Sequence, residues 1–132
     1  MGYRHTAVWI DHREAHVLSV EAETFTDTVI HAPEHVPRHP EREAPAHNHP
    51  DDEHRFFEQV AQSLRGATQI LIVGPSLAKL HFRDYVLAHA STLSFGIAGV
   101  ETVDHPTDKQ LAAYVRQYFL SPDERRGSLA IV

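Results

Sequence analysis

The sequence predicts a mixed α/β domain: a five-stranded sheet of order 3-2-1-4-5 with helices on both faces. Three observations predict it. The first thirty residues hold three apolar, β-rich runs broken by short polar turns. The second half alternates helical periodicity with apolar strand-like runs. The run Gln69-Ile70-Leu71-Ile72-Val73 is nearly continuous in apolar character, as for a strand buried on both faces.

The opening meander covers about 4–11, 15–21 and 24–30. Ala7, Trp9 and Asp11 alternate with Val8 and Ile10, the period-two signal of a strand. His12-Arg13-Glu14 makes the first tight connection and Glu21-Ala22-Glu23 the second. Asp11 ends the first strand, where an Asp side chain commonly bonds local backbone. Thr24 to Ile30 is rich in Thr, Phe, Val and Ile, all strand formers.

Composition then shifts. Pro33, Pro37, Pro40, Pro45 and Pro50 punctuate the next stretch, and no helix survives that spacing. Residues about 32–50 are expected to form a long, polar, mobile loop.

Asp51 or Asp52 is expected to cap the first helix, with Phe56, Phe57, Val60, Ala61 and Leu64 on its apolar stripe. Gly66 stands where a C-terminal cap belongs. After the fourth strand, Gly74-Pro75-Ser76 turns into a helix over about 76–90, with Ser76 as its cap and Phe82, Val86 and Ala90 inward. Ile97 to Val103 is the fifth strand. Thr107 and Gln110 have capping-box spacing and open a third helix to about Leu120. Pro122 stops it, and about 122–132 form a C-terminal tail. The chain reads as one domain over 1–132. Three meander strands followed by alternating helix and strand is the ribonuclease H-like order, with right-handed crossovers.

Composition bounds the function. With no Cys, disulfides and thiolate zinc sites are excluded, which agrees with a cytoplasmic setting. Ala7-Val8-Trp9-Ile10 is too short for a signal peptide or a membrane span, so no membrane partner is expected. A net charge of −6 argues against general coating of nucleic acid, but not against one local RNA contact.

The twelve histidines are the compositional anomaly. His31, His35, His39, His47, His49 and His54 fall in one stretch among Glu and Asp. Imidazole and carboxylate suit zinc or nickel, so His35, His39, His47 and His49 are candidate ligands for Zn or Ni. Alternatively the stretch is a solvated loop, or an arm whose charge rises below about pH 6.5.

The element order also raises metal-dependent phosphodiester hydrolysis. Two-metal chemistry needs several converging carboxylates. Asp11 is suitably placed and Glu58 is a second candidate, but the fourth strand ends in Val73-Gly74-Pro75 and supplies none. No Gly-x-Ser-x-Gly and no Walker-type glycine loop is present. No catalytic set is complete, so no enzyme activity is expected.

Gly74-Pro75-Ser76 opening a helix is the sequence form of an anion site, with Lys79 and Arg83 one and two turns on. Gly74, Ser76, Lys79 and Arg83 are therefore the candidate anion- or RNA-binding residues.

The stretch Ile70-Leu71-Ile72-Val73-Gly74-Pro75-Ser76, then Lys79 and Phe82, resembles a known pattern. It is similar to the strand–Gly-Pro–helix segment in the middle domain of eukaryotic and archaeal peptide release factors and of Pelota. The half through Gly99-Val100-Glu101-Thr102-Val103 and Asp104-His105-Pro106-Thr107-Asp108 resembles small bacterial release-factor-like, or translational machinery, proteins. The resemblance implies a translational machinery component-like fold, a cytoplasmic location, and a ribosome or translation factor as partner. It also implies that the flanking codon-reading and factor-binding domains are missing. One departure is chemical. The release-factor domain carries a Gly-Gly-Gln hydrolytic tip, whereas residues 32–50 hold no Gly, and Gln59 and Gln62 lack flanking glycines. The resemblance therefore implies ribosome contact, as in Pelota, without peptidyl-tRNA hydrolysis.

Overall fold

The computed structural model describes residues 5–33 and 50–120. The elements are β1 (His5–Ile10), β2 (Glu14–Val20), β3 (Phe25–His31), α1 (Pro50–Ser63), β4 (Ile70–Gly74), α2 (Ala78–His89), α3 (Ser91–Ser94), β5 (Ile97–Thr102) and α4 (Asp108–Leu120). They form a five-stranded sheet of order β3-β2-β1-β4-β5, as the sequence predicts. β1–β2 and β2–β3 pair antiparallel, while β1–β4 and β4–β5 pair parallel.

Alternation along the strands divides the apolar residues between two cores. Val8 and Ile10 of β1, with Val17, Ile70 and Ile72, pack under Phe56, Phe57, Val60 and Leu64 of α1 and Phe82 and Val86 of α2. Ala7 and Trp9, with Leu18, Val20, Leu71 and Val73, pack under Leu111, Ala112 and Val115 of α4. All five residues of β4 are buried, as its unbroken apolar run predicts.

The turns follow from their side chains. Asp11 Oδ1 accepts the backbone N–H groups of Arg13 (2.8 Å) and Glu14 (2.9 Å), closing the β1–β2 hairpin. Gly66 takes φ +85° just beyond α1, the left-handed conformation glycine adopts freely. Thr107 and Gln110 form a reciprocal capping box: Thr107 N–H donates to Gln110 Oε1 (2.9 Å), and Gln110 N–H to Thr107 Oγ1 (3.1 Å). Arg116 fastens α4 to the β2–β3 turn by donating to the carbonyls of Glu21 (2.9 Å) and Thr24 (3.1 Å).

Three local expectations need correction. α1 starts at Pro50, so Asp51 and Asp52 lie within its first turn and do not precede it as caps. α2 starts at Ala78 with Leu77 as its N-cap and no side-chain cap bond, so Ser76 does not cap it. The reason lies in the approach of Gly74 to β1. A Cβ on Gly74 would strike the carbonyl oxygen of Ile10, so β4 runs close beside β1 to its last residue, and Pro75 to Leu77 make the turn. α3 was not expected, because a single turn has no periodicity to read.

Candidate functional site

Among the described residues, polar chemistry gathers at the corner between β4 and α2 and on the α4 face of β2 and β3.

At the corner, Gly74, Ser76, Lys79 and Arg83 lie along one connection. Lys79 is turned inward, only 7% exposed. Its ammonium donates to the carbonyl of Ser76 at 2.7 Å, tying the turn to the first turn of α2. The Ser76 hydroxyl is buried and makes no hydrogen bond. Arg83 lies farther along α2, and its guanidinium holds Asp84 through Nε (3.2 Å) and Nη2 (3.0 Å). Leu77 stands beside the corner with 60% of its surface exposed. Lys79 thus stabilises the corner internally, and Arg83 is the candidate cation nearer solvent.

The second place was not legible in the sequence. His16 on β2 faces α4, opposite Trp9 in the β1–β2 register. The two rings meet edge to face, 5.7 Å apart. Glu14 Oε2 lies 3.1 Å from His16 Nε2. On the other side of the ring, Nδ1 lies 3.3 Å from Asp108 Oδ1 and 3.9 Å from Asp27 Oδ1. That Nδ1 is buried and makes no hydrogen bond. Burial, foremost, raises the Asp27 carboxyl from 3.8 to about 6, reinforced by a hydrogen bond to Asp108 and by its charge and opposed by His16. Within the chain, Glu14 and His16 share a face by strand alternation, and that much could have been read from spacing. Bringing Asp108 over them needs the packing of α4, which spacing does not encode.

The other candidates are dispersed. The Asp11 carboxylate serves the β1–β2 hairpin, and Glu58 is an exposed residue of α1 whose charge acts on Tyr85. Among the described residues, the group of three or more ligating side chains within reach of one ion is His16, Asp27 and Asp108. Asp11 and Glu58 are not in it. His35, His39, His47 and His49 lie outside the described residues, as do most of the Pro-rich stretch and the tail from 121 onward. No helix among the described residues is long and apolar enough to cross a membrane.

No family model and no curated protein matches the chain. Solved structures do share its fold. Pelota of Archaeoglobus fulgidus is 13% identical, with a TM-score of 0.65 over 96% of this chain and 35% of that one. Pelota of Thermoplasma acidophilum is 16% identical, with a TM-score of 0.61 over 89% of this chain and 32% of that one. The archaeal translation termination factor aRF1 is 14% identical, with a TM-score of 0.58 over 96% of this chain and 41% of that one. The chain therefore spans between about a third and two fifths of the length of these proteins. The resemblance carried by Gly74, Pro75, Lys79 and Phe82 holds at the level of fold.

Proposed function

We propose that this chain is a release-factor-like, translation-associated domain that contacts the ribosome or a translation factor and does not itself hydrolyse a substrate. The observation that supports this most is the correspondence of 96% of the chain with one part of Pelota and of a translation termination factor. The absence of Gly-Gly-Gln from the sequence supports the non-hydrolytic half of the reading.

The contact surface in this reading is the corner at the start of α2. Gly74 and Ser76 shape the turn, Lys79 holds it, and Arg83 meets an RNA phosphate or an acidic protein group. Leu77 adds an exposed apolar contact. A single-arginine contact suits a chain with net charge −6, which cannot rely on a broad basic surface.

Co-sedimentation with ribosomes tests the proposal. The intact chain is expected in ribosomal fractions at low salt, with Arg83→Glu displaced from them while keeping its circular dichroism spectrum. Absence of the parent chain from every ribosomal fraction, at low and physiological salt alike, would rule the function out.

A further inference from the structure

We propose that His16, Asp27 and Asp108 form a binding site for a divalent transition-metal ion, zinc foremost, on the α4 face of the sheet. Its ligands are none of His35, His39, His47 and His49, and the proposal is independent of any ribosome contact.

The geometry fits one ion. β2, β3 and the first residue of α4 each contribute one ligand atom, and the three atoms lie within 4.8 Å of one another. Zinc binds N and O ligands at about 2.0–2.2 Å, which puts two tetrahedral ligands about 3.4 Å apart. His16 Nδ1 and Asp108 Oδ1 are separated by 3.3 Å, and Nδ1 and Asp27 Oδ1 by 3.9 Å. Small side-chain rotations of the two aspartates close the difference.

The histidine is prepared for this role. In the neutral imidazole, a proton on Nε2 would donate to Glu14, and the Nδ1 lone pair would then face the two aspartates. A carboxylate holding the outer nitrogen of a histidine is the usual support of a metal ligand. Glu14 is itself steadied by His31, whose Nδ1 is 3.6 Å from Oε1. Trp9 fixes the plane of the imidazole from the core side.

Charge supplies the driving force. The buried Nδ1 makes no hydrogen bond, and the two carboxylates that flank it accept rather than donate when ionised. Acceptors converging on one point are satisfied by a cation between them. A proton is one such cation, and a divalent ion bound to all three groups is another. One imidazole and two carboxylates form a borderline donor set suited to zinc, cobalt or nickel. The aspartates keep 25% and 37% of their side-chain surface exposed, so water has access to a fourth position.

Trp9, the one tryptophan of the sequence, stands beside the site and makes binding readable. The experiment uses the full chain with His35, His39, His47 and His49 all changed to Ala, so that these four do not contribute. After chelation and desalting at pH 7.5, Zn(II) is titrated by calorimetry, and Co(II) is followed by Trp9 fluorescence and visible absorption. One equivalent of Zn(II) is expected, with Co(II) quenching Trp9. Adding Asp27→Asn and Asp108→Asn is expected to weaken binding at least tenfold, with an unchanged circular dichroism spectrum. No zinc uptake by the four-alanine chain would overturn the proposal and leave the proton as the occupant. So would equal affinity with and without the two asparagines.

Discussion

The indole Nε1 of Trp9 donates to the carbonyl oxygen of Asp104 at 2.6 Å, joining residues 95 positions apart in the sequence. The bond ties the central strand β1 to the connection that leads into α4. Asp108 follows that connection and lies 3.3 Å from His16, whose ring meets the same indole edge to face. Trp9→Phe keeps most of the apolar contact and removes the donor. Urea unfolding is expected to show a loss of about 1–3 kcal/mol, because the Asp104 carbonyl loses its partner and a smaller ring leaves a gap.

Acid titration of the metal-free protein reports on Asp27. Its folded pKa of about 6 lies above the ordinary 3.8, so the native state binds this proton more tightly than the unfolded chain. The stability it contributes is present at low pH and lost as pH rises from about 4 to about 6. Asp27→Asn removes that loss. The difference in Tm, variant minus parent, is expected to grow from pH 4 to pH 7 in the presence of a chelator. A pH-independent difference would show that Asp27 is not strained by burial and by Asp108.

Two glycine substitutions separate two causes of the same change. Gly74→Ala drives a methyl group into the Ile10 carbonyl, and backbone cannot swing aside. A loss of about 3 kcal/mol is expected, the upper end for overpacking. Gly66→Ala meets open space and costs only the left-handed backbone conformation, about 1 kcal/mol. Paired thermal melts of the two variants check the order.

Lys79 and Arg83 are expected to respond oppositely in stability and in binding. Lys79→Met keeps the buried stem and removes the bond to the Ser76 carbonyl, costing about 1.5 kcal/mol. Arg83→Ala acts at an exposed ion pair with Asp84 and is expected to change stability by less than about 0.5 kcal/mol. Urea midpoints of both variants test this, and the contrast separates holding the corner from making contact there.

Sheet order was legible because each strand carries its own signal. The alternation of Ala7 and Trp9 with Val8 and Ile10 announces two cores, and the run Ile70 to Val73 announces a central strand. The capping box of Thr107 and Gln110 is likewise local. Ser76 has the chemistry of a cap, but the start of α2 is set by how closely Gly74 approaches Ile10. The His16, Asp27 and Asp108 group was invisible for a related reason. Its members lie far apart in sequence, and only the packing of α4 over β2 unites them. Histidine is densest in the Pro-rich stretch, whereas the geometry gathers one histidine of β2 with acids from two other elements.

Photo-crosslinking tests the translation reading most directly. A benzophenone amino acid replaces Leu77 at the exposed corner in one chain, and Tyr114 on α4 in another. Each chain is irradiated with purified ribosomes. Adducts with ribosomal RNA or protein from position 77, and few from position 114, are the expected result. Adducts from position 114 alone, or from neither position at saturating ribosome, would contradict it.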